Sequence, residues 1–488
     1  MNISSGSAGV RSATAMVATG HPLAARSAQD MLAAGGSAID AAIAADAILG
    51  VVEPMATGIG GDVLAMLVEP DGTARSYNGT GRAPSALHVE IVEKLPNRRI
   101  PERHPLAATV PGAVRGWFDL HARYGRLPFS QLLAPAIALA AEGFAVAPVA
   151  AREWALFEPV IKVDPACAKL YRAGNVPQDG ERFANPELAA VLRAIAAEGP
   201  DAFYLGGPAQ QASAANQARG GVLAAEDFAA HRGDFAEPLR RNFRGLTVLE
   251  CPPNTHGVAV LDALEELDAL ALDRDDPKTT IAMVEAIGRA LARAKETVAD
   301  PAGNTVCTVV VDSDGLAVTL MSSIFKRFGS GIAVPGCGFV LQNRGFGFAE
   351  PGHINGPGPA KRAYHTVVPA AALKDGRFHA GFGVVGGAMQ PQGHVQMLVR
   401  LAAWGEELQA AIDAPRWRLE GAKALAIEPG TPDFISKALR EAGYTDPVGA
   451  GELGGRSDFG GAQFVLRDKS GGLIGASDKR KDGLALGA

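Results

Sequence analysis

The sequence predicts an α+β protein, and three observations carry that prediction. A chain of 488 residues is too long for one ordinary core, so two domains or one large layered unit is expected. From about Thr109 to Asp300, apolar residues recur at mostly helical spacing in an alanine-rich background. Composition then changes. Asn304-Thr305-Val306-Cys307-Thr308-Val309-Val310-Val311-Asp312 is a β-branched run broken at Asp312-Ser313-Asp314-Gly315, and Leu316 to Met321 reads as the second strand of a hairpin. The breaker cluster Asp300-Pro301-Ala302-Gly303 marks the main boundary, between a region 1–304 and a region 305–488.

Taken in order, His21-Pro22 opens a helix that ends at Gly35-Gly36. Ser37 caps the next helix, with Asp40 placed for a capping box, and this Ala38 to Leu49 stretch is apolar nearly all round and should be buried. The glycine loop Thr57 to Asp62 precedes a strand, Val63 to Val68, not a helix. It also lacks a Gly-Lys-Ser/Thr ending, so it reads as a close-packed turn and not a phosphate cradle. Arg75 to Asn78 pairs with that strand. Helices follow from Pro111-Gly112, at Leu133 to Glu142, at Pro186 to Glu198, after the Cys251 to Gly257 turn, and at Ile281 to Val298. Beyond the central hairpin, Gly352 to Pro359 reads as an exposed loop, Tyr364 to Leu373 and Phe378 to Val385 as strands, and Pro391 to Trp404 as a helix. The tail from Ala462 holds a last hairpin and the string Asp478-Lys479-Arg480-Lys481-Asp482.

Composition excludes several classes. Apolar residues are 47% and charged residues 20%, a globular balance. The formal charge of -6 is spread without a basic block, which argues against nucleic acid. No apolar stretch is long enough to span a bilayer, and Met1 to Gly20 lacks the apolar core of a secretory signal. Cys167, Cys251, Cys307 and Cys337 show no metal-ligand spacing and read as reduced thiols, so a cytoplasmic setting is expected. Gly381-Phe382-Gly383-Val384-Val385-Gly386 matches G-x-G-x-x-G, but no βαβ unit surrounds it. The adjacent amides of Gly386 and Gly387 suit a different task, which is aiming two N–H groups at an oxyanion.

A threonine opening a buried strand needs no chemical explanation. It acquires one if the Asn304–Thr305 bond is cut, because Thr305 then carries a free α-amine beside its own Oγ. An α-amine with pKa near ~8 is a usable base at neutral pH, and an N-terminal amine is one established way to activate a threonine nucleophile.

These strings together resemble the γ-glutamyltransferase (γ-glutamyltranspeptidase) family of N-terminal-nucleophile hydrolases. The resemblance rests on Gly35-Gly36-Ser37-Ala38-Ile39-Asp40-Ala41-Ala42, Val52-Glu53-Pro54, Gly58-Ile59-Gly60-Gly61, Val110-Pro111-Gly112-Ala113, Phe328-Gly329-Ser330-Gly331, Gly386-Gly387 and Ala476-Ser477-Asp478. It implies a four-layer αββα sandwich and a chain that cuts itself, leaving a heterodimer of its own fragments. It also implies attack by Thr305 on an amide carbonyl, with Ser323 orienting the nucleophile and Gly386 and Gly387 as the oxyanion hole. No cofactor or metal is implied.

The resemblance places substrate contacts at Thr80, Arg82, Asn343, His365 and Thr366, and several of these depart from the glutamyl-binding pattern. Thr80 stands where that pattern has its carboxylate-binding Arg, and Phe325 stands where it has an Asn. Gly347 replaces the acidic anchor of the α-amine, and His365-Thr366 replaces adjacent serines. Each charged hydrogen bond lost is worth about 1.5–3 kcal/mol, enough to remove most glutamyl selectivity. Tyr364-His365-Thr366 and Met389-Gln390-Pro391-Gln392-Gly393-His394 look closer to the amidohydrolase branch, oxamate amidohydrolase among them, with Arg82 and His365 placed to hold a small carboxylate. True γ-glutamyl transfer and an uncut, silent homologue stay open as alternatives. The stretch before Thr305 is also short, since only Ala302-Gly303-Asn304 separate it from Pro301.

Overall fold

The structure, a computed structural model, describes residues 9–298, 304–446 and 459–487. The Asp300 to Gly303 boundary lies outside them. The architecture is an α+β four-layer αββα sandwich built on two antiparallel sheets of seven strands each. The first sheet runs, edge to edge, Leu484–Gly487, Met16–Thr19, Asn304–Val311, Ala317–Phe325, Asp62–Val68, Ala74–Asn78 and Asp234–Ala236. The second runs Val10–Ser12, Leu473–Ser477, Ala462–Arg467, Arg377–Val384, Ala370–Lys374, Leu246–Glu250 and Leu239–Phe243. Each sheet takes strands from both sides of residue 305.

Side-chain alternation sets the layers. Cys307, Val309, Val311, Met321, Leu64 and Met66 face the second sheet, where Leu249, Ala371 and Val465 meet them. Their neighbours Val306, Val310, Val318, Leu320, Val63 and Leu67 face the opposite way, onto the helix Ala38–Val52. That helix carries the Ser37–Asp40 capping box and is buried along nearly its whole length, because its alanines let it lie flat on the sheet. Helices Gly257–Asp268, Pro277–Thr297 and Met389–Leu398 cover the outer face of the second sheet in the same way.

The close-packed glycine turn is as expected: a Cβ at Gly60 would overlap the Val340 carbonyl, and one at Gly61 the Ser323 carbonyl. Other expectations need correction. The stretch from Thr109 to Asp300 also contains the strands Asp234–Ala236, Leu239–Phe243 and Leu246–Glu250. Arg240 and Arg241 on an exposed edge strand hide the alternation, and Arg244 and Gly245, both at positive φ, make a two-residue hairpin turn. The strand expected from Tyr364 starts only at Ala370, because His365 and Thr366 are drawn into side-chain contacts described below. The Gly352 to Pro359 loop is buried at Asn355, Gly356 and Pro357, with Asn355 bridging Gly347 O and Tyr364 N. The helix expected from Pro391 begins instead at Met389, with Pro391 inside its first turn, where a missing N–H is tolerated. In the tail, Asp478 and Arg480 are buried with Glu428 and Arg416.

Candidate active site

Residues from three adjacent strands meet at one end of the space between the sheets. The Asn304–Val311 strand pairs Asn304 with Phe325 and Val306 with Ser322, and the register slips between those pairs. Thr305 therefore sits on a β-bulge opposite Ser323 and Ile324, a device that re-aims a side chain. Ser323 in turn pairs with Asp62 on the next strand. Thr305 is only 1% exposed, and its Oγ accepts a 2.8 Å hydrogen bond from Nε2 of Gln390. The Gln390 Oε1 accepts from the Val368 N–H at 3.0 Å, so this amide is held at both ends.

Gln390 lies in the first turn of the Met389–Leu398 helix, and the residues entering that helix are Gly386 and Gly387. Their φ angles are 120° and 63°, a region that favours glycine. Their carbonyls accept from Met389 N and Gln390 N, and among the described residues nothing takes up the N–H of either glycine. Two uncommitted N–H groups therefore stand at a helix N-terminus, where partial positive charge accumulates.

Beside this lies a buried charged cluster. Asp62 Oδ1 accepts from Gly81 N at 2.8 Å and from Gln342 Nε2 at 2.7 Å, and Oδ2 accepts from His365 Nε2 at 3.2 Å. Since Val367 N donates to His365 Nδ1, the imidazole carries its proton on Nε2. Burial, reinforced by the nearby Arg344 cation, pushes His365 down to about 4, so it is neutral at pH 7. Burial would raise Asp62, but the His365 hydrogen bond, the Arg344 charge and the Gln342 amide together hold it below the usual carboxylate range. Arg344 donates from Nη2 to Ser323 Oγ at 3.3 Å and from Nη1 to Thr366 Oγ1 at 3.4 Å.

The remaining expected contacts are placed differently. Thr80 is buried, and its Oγ1 has no hydrogen-bond partner among the described residues. The Asn343 amide is committed to backbone, accepting from Lys326 N and donating to Glu102 O. Arg82 lies at the surface, bonded to Ala360 O and 3.9 Å from Asp234, and no described contact ties it to Thr305, Ser323 or His365.

The chain is similar to known proteins along nearly its whole length. A sequence profile described as Gamma-glutamyltranspeptidase matches residues 24–309 and 301–488. The chain belongs to the gamma-glutamyltranspeptidase family. Within it, the chain is 34% identical to the oxamate amidohydrolase proenzyme of Klebsiella pneumoniae, covering 97% of this chain and 98% of that one. It is 31% identical to the glutathione hydrolase-like YwrD proenzyme of Bacillus subtilis, again over 97% and 98%. The crystal structure of cephalosporin acylase from Bacillus halodurans superposes with a TM-score of 0.92 at 34% identity, covering 100% of this chain and 98% of that one. The fold is accordingly the N-terminal-nucleophile hydrolase sandwich, and the chain is an amide-bond hydrolase or acyltransferase of the gamma-glutamyltranspeptidase family.

The candidate site also contains side chains that stand out little in the sequence. Gln390 belongs to the stretch Met389-Gln390-Pro391-Gln392-Gly393-His394, but nothing in its spacing marks it as the partner of Thr305. Asp62 closes a glycine turn and could have been suspected from its place beside Gly60-Gly61. His394, one helical turn beyond Gln390, pairs with Glu250 at 2.8 Å and accepts from Val384 N at 3.3 Å. That contact pins the helix to the end of the strand leading into Gly386.

The buried imidazoles of this family member contribute to its acid stability. His21, His231 and His365 are pushed by burial from 6.5 to about 4, and His256 to about 3. Each folded value lies below the unfolded one, so this contribution is complete above pH 6.5 and is lost as pH falls from there through the folded values, by about 3 kcal/mol for each of the first three and about 5 kcal/mol for His256. Asp46, raised by burial to about 6, acts in the opposite sense, as do Glu53, Glu250, Asp312 and Asp482, which burial also raises. His256→Gln should therefore lose less stability between pH 7 and pH 4.5 than the parent chain, read as urea midpoints, and an unchanged difference would contradict the neutral assignment of His256.

Proposed function

We propose that the protein is a self-processing amidohydrolase whose nucleophile is Thr305. The observation that carries this reading is the placement of the Thr305 hydroxyl on a bulge opposite Ser323, clamped by Gln390 from the helix that starts after Gly386-Gly387. In the unbroken chain, Oγ adds to the Asn304 carbonyl carbon and the C–N bond breaks as the Thr305 nitrogen takes up a proton. Water then hydrolyses the resulting ester, freeing the Asn304 carboxylate and restoring the hydroxyl. The new α-amine serves as base for the next cycle, in which Oγ attacks a substrate amide and the Gly386 and Gly387 amides bind the oxyanion. Ser323 orients the nucleophile. Asp62 and neutral His365 position the strands around it.

The fragments 1–304 and 305–488 remain joined after the cut, because both sheets are woven from both fragments. All four cysteines are unpaired and buried, which supports a cytoplasmic setting. The substrate is a small carboxylated amide of the oxamate type. Similarity to an oxamate amidohydrolase supports this, as do Phe325 and Gly347 in place of the polar groups a glutamyl substrate needs.

Mass spectrometry of the purified protein should show a fragment beginning at Thr305. Ammonia release from oxamate should exceed release of aniline from a γ-glutamyl anilide. An intact chain after long incubation would reverse the first conclusion, and preference for the anilide the second.

A further inference from the structure

We propose that Arg344 is the specificity-determining residue of this site, receiving the carboxylate of the substrate's acyl group on its Nη1–Nη2 edge. This rests on the amidohydrolase reading above and names the residue that selects its substrate.

Four observations converge on Arg344. Its side chain is fully buried, at 0% exposure, on the turn Arg344–Gly347. Its one carboxylate neighbour among the described contacts is Asp62, at 3.7 Å from Nε, and Asp62 already accepts hydrogen bonds from Gly81, Gln342 and His365. A guanidinium has five N–H donors, yet the described contacts use two, both long and both to hydroxyls, while Nε has no hydrogen-bond partner. A buried cation so weakly engaged is costly unless another group completes it, and a carboxylate matches its fork in two parallel bonds. Finally, the guanidinium Cζ lies over the Phe325 ring, 4.1 Å from its centroid, which limits where the fork can move.

Position decides what the fork reads. Nη2 touches Ser323, and Ser323 lies opposite Thr305 across the bulge. A carboxylate on Arg344 therefore belongs to the acyl half of the substrate, close to the carbonyl that Oγ attacks, and not to the leaving group. Burial lowers Arg344 only to about 9, partly offset by Asp62, so it is a cation at neutral pH. Arg82, by contrast, is already engaged at the surface by Ala360 and Asp234.

The test compares oxamate with its neutral isostere oxamide in the processed enzyme, for wild type, Arg344→Gln and Arg344→Lys. Calorimetry with oxalate gives a readout that needs no turnover. Arg344→Gln should lower the ratio of kcat/KM for oxamate to that for oxamide about 10- to 100-fold, and should weaken oxalate binding to the same degree. Arg344→Lys keeps the charge that Asp62 faces but not the fork, so it should fold and still lose part of the oxamate preference. Equal losses on both amides, or an unchanged oxamate-to-oxamide ratio, would overturn the assignment. So would a wild type that does not distinguish oxamate from oxamide or does not bind oxalate. If wild type hydrolyses no amide yet oxalate binding depends on Arg344, the hydrolase reading fails and the anion site stands.

Discussion

Thr305→Ala is expected to leave the chain uncut and to reduce amide turnover by on the order of 10³–10⁶, the loss seen when an acyl-accepting nucleophile is removed. Two losses coincide in this variant. Without Oγ there is no attack on the Asn304 carbonyl, so no α-amine is released, and there is no group to accept the substrate's acyl moiety. The fold should survive. The side chain contributes one described hydrogen bond, from Gln390, and leaving that amide donor unpaired costs about 1–3 kcal/mol. Circular dichroism should thus show a native spectrum with a modestly lower Tm, while mass spectrometry shows one intact species. Normal ammonia release from this variant would remove Thr305 from the mechanism.

The second large effect is expected at Gly386→Ala. Gly386 has φ of 120°, beyond even the left-handed helical region, and its added Cβ would lie 3.2 Å from Gly460 Cα and Met389 Cβ. The backbone must rotate to relieve both the strain and the contact, and that rotation turns the Gly386 and Gly387 N–H groups. Loss of one oxyanion donor lowers kcat by about 10²–10³. Because those donors act on charge that develops in the transition state, KM should change little. A variant with raised KM and normal kcat would assign the glycine pair to substrate binding instead.

How much of this was legible beforehand varies with the kind of contact. The Ser37–Asp40 capping box and the alanine-rich helix were readable because cap and face are fixed within a few residues. The hairpin at Asn304 was readable because a β-branched run and a Gly turn adjoin it. The edge strand Leu239–Phe243 was not, since exposed arginines interrupt the alternation that marks a strand. Nor was the role of Gln390, because its link to Thr305 depends on how the helix covering the second sheet brings its first turn to the end of the first sheet's Thr305 strand.

The sequence by itself determined the family, the layered α+β class and the threonine at the head of a buried strand, since each depends on local order and spacing. Only the tertiary structure decided what surrounds that threonine. Thr305 and Gln390 are 85 residues apart and Asp62 and His365 are 303 apart, and these pairs meet because strand register and the stacking of two sheets bring them to one end of the sandwich. Hydrogen bonds act over about 3 Å, so a one-residue slip of a strand would turn its side chains to the other face and dissolve the site while leaving every local pattern in the sequence intact.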